Sequence, residues 1–394
     1  MKKIAFVVQR YGLEVNGGAE LQCRQLAERM GKYYDVEVFA TKAIDYVTWE
    51  DFYHKDTELI NGVLVRRFSV KEIRNDKRFK KLSKKIMLCN STKEEELQWM
   101  KEQGPYSVEL IQYIKNNKDV YDVFVFITYL YYTTYFGLQE VADKSILVPT
   151  AHDETPIYLS IFKEFFRMPK SIFYNTKEEK SFVERMFNNA NIMNNDGLGG
   201  VGIDVPDDIS GNRFIDKYGI SKFVVYIGRI EEHKGCKELF QYFQEYKKRN
   251  GGSLKLVLLG KEVMHAPQSD DILNLGFVTE QDKFDALAAC EFLILPSQYE
   301  SLSIVVLEAM KIKKPVLVNG KCDVLYEHCI RSNGGLYYKN YMEFEGCVDF
   351  LLNHPEICAK IGENGGEYVD TNYQWDVIIG RLSDLIDCIT KESR

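Results

Sequence analysis

Short, mostly apolar runs, the first of them (4–8) unbroken, alternate with amphipathic stretches along this chain, in two successive series. The first series has runs at 4–8, 36–40, 63–68, 123–127 and 146–149, with shorter ones at 171–174 and 192–193. Helical spacing covers 19–30 and 106–116 between them. The second series has runs at 223–227, 254–259, 272–277, 292–295 and 315–318, separated by helical stretches at 236–249, 281–289 and 304–312. The remainder reads mostly as helix, over 343–352, 355–370 and 375–390. A strand that is apolar at every position is covered on both faces, as in a parallel sheet flanked by helices. The alternation therefore predicts an α/β architecture with two parallel sheets. At 394 residues the chain also exceeds what one hydrophobic core normally organises. The stretch 197–202, Gly-Leu-Gly-Gly-Val-Gly, is the sharpest break in the pattern, and glycine runs serve turns and hinges. It puts the domains at 1–205 and 206–374. Ligands of such sheets bind beyond the carboxyl ends of the strands. In a two-domain chain those ends can face each other across one cleft.

The bulk composition narrows the function classes. Lys and Arg number 51 against 58 Asp and Glu, a formal net charge of −7, which argues against a general nucleic-acid binder. No apolar run approaches the roughly 20 residues that a membrane-spanning helix needs. The start, Met1-Lys2-Lys3-Ile4-Ala5-Phe6, lacks the long apolar region and cleavage site of a secretory signal and reads as a first strand. Nine scattered cysteines contain no C-x-x-C pair. Neither a zinc cage nor a redox motif is expected, and reduced thiols in a cytoplasmic protein fit the pattern. One segment runs against the acidic trend. Residues 71–85 hold eight Lys or Arg and two acids, interleaved with Ile73, Phe79 and Leu82. Two readings stand for it: a solvated surface helix or loop, or peripheral contact with an anionic membrane surface.

Four loops that follow strands carry candidate chemistry. Asn16-Gly17-Gly18-Ala19-Glu20 lies between the first strand and the first helix. Its glycines let backbone N–H groups approach a ligand, and the helix N-terminus favours an anion; a tight turn would look the same. Thr150-Ala151-His152-Asp153 follows another strand. His152 can donate a hydrogen bond to a substrate hydroxyl or to developing charge, or it can cap a loop. Gly228-Arg229-Ile230-Glu231-Glu232-His233-Lys234-Gly235 follows the run 223–227. Arg229 can fork across phosphate oxygens and Lys234 adds a mobile point charge, a pair suited to a diphosphate. A surface salt bridge is the alternative for Arg229. The most specific loop leads into a helix and holds Glu300 and Glu308. On a straight helix such a pair would lie about 80° apart, but Glu300 precedes the helix, so both acids can enter one pocket. The amides of Leu302, Ser303 and Ile304 begin the helix and can take a phosphate. Glu308 stands among Val305, Val306, Leu307 and Met310, where a lone acid is unfavourable. Its partner is a ribose diol or a lysine such as Lys311 or Lys313. The tyrosine-rich stretch 129–135 can line an acceptor groove or belong to the core. No D-x-D-like motif stands out in these loops, and no metal is expected.

YIGRIEEHKG at 226–235, LLG at 258–260, LGFV at 275–278 and ILPSQYESLSIVVLEAMKIKKPVLV at 294–318 together resemble the retaining glycosyltransferases of the GT-B fold, glycosyltransferase family 4, also called bacterial glycosyl transferases group 1. The likeness is strongest over 223–320 and looser through Gly17, Gly18 and His152. It implies two Rossmann-like parallel-sheet domains facing across a cleft, an acceptor-side domain first and a donor domain second. The last helix, about 375–394, would cross back onto the first domain. It implies a UDP- or GDP-sugar as donor, no further cofactor, and a glycan or lipid-linked acceptor in bacterial surface polysaccharide synthesis. By position, Arg229 and Lys234, beside Gly228, would hold the diphosphate, and Glu308 would hold the ribose. Glu300 and the backbone of Ser301, Leu302 and Ser303 would meet the sugar and phosphate. Phe277 and Val278 lie where the family holds the base. Gly17 and Gly18 would approach the donor phosphate, and His152 would touch the transferred sugar. Glu300, His152, Arg229 and Lys234 form the implied catalytic set. The chain departs from the family where Gly-Phe-Gly often follows the first acid. Ser301-Leu302-Ser303 stands there instead, which leaves the donor sugar open. For a retaining family the favoured picture is attack on the leaving-group face, with a donor phosphate taking the acceptor proton. A double displacement through Glu300 is the competing chemistry. A GT-B sugar-nucleotide epimerase or a non-catalytic nucleotide-sugar binding protein would use the same scaffold.

Overall fold

The structure, a computed structural model, describes residues 1–15, 17–88 and 90–392. Asn16, Cys89 and the end of the helix expected over 375–394 lie outside the described residues. The chain divides into two compact units, Met1–Val201 with Asp376–Arg394, and Gly202–Trp375.

The first unit is built on an eight-stranded sheet. Its strands are β1 (Lys3–Val7), β2 (Asp35–Thr41), β3 (Thr57–Ile60), β4 (Val63–Phe68), β5 (Val123–Ile127), β6 (Ser145–Val148), β7 (Ser171–Ile172) and β8 (Met193–Asn194). They run in the order β3-β4-β2-β1-β5-β6-β7-β8. β1 is central, with Phe6 opposite Val38 on β2 and Val125 on β5, and Ile4 to Val7 are wholly buried. All pairings are parallel except β3–β4. That hairpin turns through Asn61 and Gly62, both at positive φ, as a two-residue Asn-Gly turn requires. Sequence patterning missed β3 because an edge strand is short and half wet: Leu59 is 70% exposed.

The glycine run is packed rather than loose. A Cβ on Gly197 would lie 2.6 Å from the Lys177 Cα, and one on Gly199 would lie 2.3 Å from the Tyr174 carbonyl oxygen. These glycines permit close backbone approach inside the first unit. The last helix, Trp375–Glu392, is grouped with this unit from Asp376 onward.

The second unit holds a six-stranded, wholly parallel sheet: β9 (Phe223–Ile227), β10 (Lys255–Leu259), β11 (Ile272–Gly276), β12 (Leu293–Leu295), β13 (Val316–Asn319) and β14 (Gly335–Tyr338). The order β11-β10-β9-β12-β13-β14 means that the chain builds outward on one side of β9 and then returns to build on the other. The crevice beyond β9 and β12 is therefore the topological switch point, where doubly wound sheets take their ligands. In the first unit the corresponding reversal lies between β1 and β5. Among the described residues no helix is long and apolar enough to cross a membrane.

Candidate functional site

The second unit brings several sequence-selected residues to its switch point. β9 runs out into Gly228, at φ 151°, and then into Arg229. A short turn, Glu232–Lys234, ends at Gly235 with φ 76°. A Cβ on Gly235 would sit 2.3 Å from the Pro296 carbonyl oxygen. Only glycine allows this loop to press against the exit of β12. The contact sets the next one: Lys234 Nζ lies 2.8 Å from Glu300 Oε1. Arg229 Nη2 lies 3.0 Å from Glu231 Oε1, and the Tyr226 hydroxyl donates to the Arg229 carbonyl at 2.7 Å. Each cation thus has a carboxylate neighbour that orients it. Lys234 and Glu300 are partly buried, while the Arg229 side chain is 47% exposed. The structure thus bears out the salt-bridge reading of Arg229, whose partner Glu231 is 13% exposed.

After Glu300 the chain enters the helix Ile304–Lys311 through Ser301, Leu302 and Ser303. Ser303 has φ 64°, in the left-handed region. Glu308 lies one to two turns into this helix, among buried Val306, Leu307, Ala309 and Met310. Its partner is a lysine, though neither of the two that proximity suggests. Lys283, on the helix Glu280–Ala289, places Nζ 2.8 Å from Glu308 Oε1 and also pairs with Glu280. Lys311 instead pairs with Asp370, and Lys313 lies at positive φ with its carbonyl where a Cβ on Gly362 would fall. Burial pushes the Glu308 carboxyl above its ordinary value, and Lys283 opposes that rise without cancelling it. Phe277, just past β11, is 73% exposed and Val278 is half-buried. An exposed aromatic there is free to stack on a planar ligand.

In the first unit, Gly17 caps the helix Gly18–Met30. Space above Gly18 is open to at least 4 Å, whereas a Cβ on Gly17 would strike the Glu20 carboxylate at 2.1 Å. Glu20 is buried and accepts from Arg10 Nε at 2.9 Å. Arg10 also donates to the Ile44 carbonyl at 2.7 Å. Glu20 ends the glycine-loop motif Asn16-Gly17-Gly18-Ala19-Glu20, but its partner Arg10 escaped sequence reasoning, since Arg10 stands in no recognisable motif. His152 follows β6, with Nε2 3.5 Å from Glu154 Oε2. The other Glu154 oxygen accepts from the Tyr129 hydroxyl at 2.8 Å. Behind the loop, Glu179 accepts from the backbone N–H groups of Ala151 and Asn175, both at 2.6 Å. Burial pushes the Glu179 carboxyl up to about 8.

Of the two readings of the tyrosine-rich stretch, the core prevails. Tyr129 is fully buried against Phe162 and Phe166. Tyr132 and Tyr135 are buried in the helix Tyr132–Gln139. The cysteines that lie within the described residues are unpaired, five of them buried. Among the described residues no group of three or more His, Cys, Asp or Glu is placed to hold a metal ion.

Comparison with known proteins bears on both units. Over its full length the chain superposes on sucrose-phosphate synthase from Thermosynechococcus elongatus with a TM-score of 0.72 at 16% identity, covering all of both chains. It also superposes on the Anabaena protein HepE, solved in complex with UDP and glucose, with a TM-score of 0.69 at 15% identity, covering 98% of this chain and 100% of that one. The chain has the GT-B fold. Residues 212–368 match the family described as glycosyl transferases group 1. Among curated relatives, it is 25% identical over 174 residues to the alpha-D-kanosaminyltransferase of Streptomyces kanamyceticus, across 40% of this chain and 44% of that protein. It is 27% identical over 187 residues to the N,N'-diacetylbacillosaminyl-diphospho-undecaprenol alpha-1,3-N-acetylgalactosaminyltransferase of Campylobacter jejuni, across 46% and 47%. The chain thus spans about half the length of the curated relatives it matches.

Proposed function

We propose that this chain is a glycosyltransferase that moves a sugar from a nucleotide diphosphate, UDP or GDP, onto a glycan or lipid-linked acceptor, with retention of configuration and without a metal. The observation that carries the reading is the pairing of Lys234 with Glu300 across the switch point of the second sheet, inside the segment that matches the group 1 family. A cation beside an acid at the mouth of a helix-capped crevice suits the two ends of a sugar diphosphate. Lys234 and Arg229 take the diphosphate, and the amides of 302–304 add a helix N-terminus to it. Glu300 accepts from hydroxyls of the donor sugar. Glu308, kept near Lys283, accepts from the ribose diol through its remaining lone pairs. Phe277 and Val278 flank the base. The same cations stabilise the leaving diphosphate as its charge grows, and one aimed donor in a comparable anion site is worth roughly 2.7–4 kcal/mol of barrier. The donor phosphate itself receives the acceptor proton. The first unit, with open Gly18 and with His152 at the lip of β6, serves the acceptor side. The bound diphosphate of HepE and the undecaprenol-linked acceptor named for the Campylobacter relative support the two substrate classes. A cytoplasmic site beside the membrane suits such an acceptor.

A thermal-shift screen of UDP, GDP and their sugars tests the donor assignment, because saturating ligand stabilises by RT ln(1 + [L]/Kd). One nucleotide is expected to raise Tm. Arg229→Ala should lower transfer by about 100-fold or more with an unchanged melting curve, and Glu308→Gln should weaken nucleotide binding. A chain that binds none of these ligands, or that turns over normally without Arg229, would overturn the proposal.

A further inference from the structure

Ser303 adopts the left-handed conformation directly ahead of the helix Ile304–Lys311, and the peptide before it is held from behind. The Leu302 carbonyl lies 2.8 Å from His328 Nε2, and the two residues are only 4% and 1% exposed. A carbonyl brings no proton, so Nε2 carries the hydrogen and donates it. In the neutral ring Nδ1 is then an acceptor. The Tyr368 hydroxyl lies 3.1 Å from Nδ1 and 3.4 Å from the Tyr373 hydroxyl. The three rings meet at steep angles, with centroids no more than 6.0 Å apart. The helix Asp323–Ser332, which carries His328, and the end of the helix Pro355–Asn372 therefore clamp one peptide unit of the donor loop. In a planar trans peptide the C=O and the N–H point in opposite directions. With the Leu302 carbonyl held by His328, the Ser303 N–H of the same peptide points away from His328, although Ser303 itself is only 7% exposed.

We infer that His328 is a positioning residue: through Leu302 it aims the Ser303 amide at the donor diphosphate. The inference rests on the donor assignment above. It also accounts for a serine at a left-handed position where glycine would be easier, since the anchor over-determines the local backbone.

The test compares His328→Leu, which removes the N–H, with His328→Gln, which keeps an N–H of similar reach. The full-length chain is titrated calorimetrically with UDP and GDP, and in parallel with uridine and guanosine, to separate phosphate from base. His328→Leu is expected to weaken the diphosphate about ten-fold, the size of one lost hydrogen bond to a charged group, while nucleoside binding stays the same. His328→Gln should recover most of the loss. Equal losses for nucleoside and diphosphate, or no loss, would overturn the inference. Where His328→Leu fails to fold, the imidazole nitrogen shifts of the wild-type chain decide: an Nε2–H tautomer supports the anchor, and an Nδ1–H tautomer removes it. If the wild-type chain binds no nucleotide, the donor reading falls by itself. Amide exchange over 300–304 then judges the anchor, with faster exchange in the variants supporting it and unchanged exchange excluding it.

Discussion

Lys283 and Glu308 stand 25 positions apart and share a site where water is scarce. Burial raises the carboxyl pKa of Glu308 against the pull of Lys283. Lys283, desolvated but flanked by Glu308 and Glu280, is held above the ordinary lysine value. Removing one member of a buried pair costs about 3–5 kcal/mol because the other charge is left uncompensated. Lys283→Met should therefore destabilise the chain most at neutral and alkaline pH, where Glu308 has to remain ionised. The sign follows from linkage: a carboxyl whose folded pKa exceeds its unfolded value binds its proton more tightly when folded, so its stabilising contribution is present at low pH and is lost as pH rises through the folded pKa. Without Lys283 that pKa rises further. Denaturant melts at pH 5 and pH 8 should show a deficit that shrinks on acidification. Equal deficits at the two pH values would mean that Glu308 carries no buried charge.

At the level of the element, the helix Asp76–Met87 resolves the basic run 71–85 into two groups. Phe79, Leu82 and Ile86 face the core, where Phe79 stacks on Trp99 and the Trp99 indole donates to Ser83 Oγ at 3.0 Å. Three of the basic residues face inward or sideways. Arg74 donates to the carbonyls of Tyr46 and Glu102, both at 2.8 Å. Arg78 pairs with Glu102 and Lys85 with Glu95. Lys77, Lys80, Lys81 and Lys84 remain on the exposed side, and Met87 and Leu88 beyond them are 66% and 69% exposed. Peripheral contact through this face would combine these four lysines with the exposed Met87 and Leu88. Each lysine near an anionic surface contributes about 1 kcal/mol. Replacing the four by alanine should weaken binding to phosphatidylserine or phosphatidylglycerol vesicles by at least ten-fold at low salt, with Tm nearly unchanged. Vesicle binding that survives the replacement would remove this face from the membrane proposal.

At the scale of the molecule, the last helix shows that sequence order and packing order differ. Trp375–Glu392 follows the second unit in the chain, yet Asp376 onward belongs to the first. Ile378, Leu382, Ile386 and Ile389 on it are wholly buried, and Asp387 pairs with Lys2 at 2.6 Å. Burying four such side chains contributes roughly 6–12 kcal/mol, comparable with the whole stability of a typical domain. A chain ending at residue 375 should lose the cooperative melting of the first unit while the second, which has its own sheet and core, keeps its transition. Calorimetry with limited proteolysis reads the two units separately. An unchanged first transition would show that the helix contributes little.

Patterning along the chain determined both parallel sheets, the loops that follow their central strands, and Arg229, Lys234, Glu300 and Glu308 as candidates. Burial on both faces imposes mostly apolar runs, and glycine marks several close approaches, so these features are written locally. The edge strands β3 and β14 were not legible, because strands with a wet side lack that signature. The partner of Glu308, the anchoring of Leu302 by His328 26 positions away, and the burial of Tyr129 were decided only in three dimensions. So was the division of one basic run between core and surface. In each case the deciding group comes from another element, and which element arrives is fixed by the crossovers of the sheet and the packing of helices upon it. The spacing of residues within any one stretch does not carry that information.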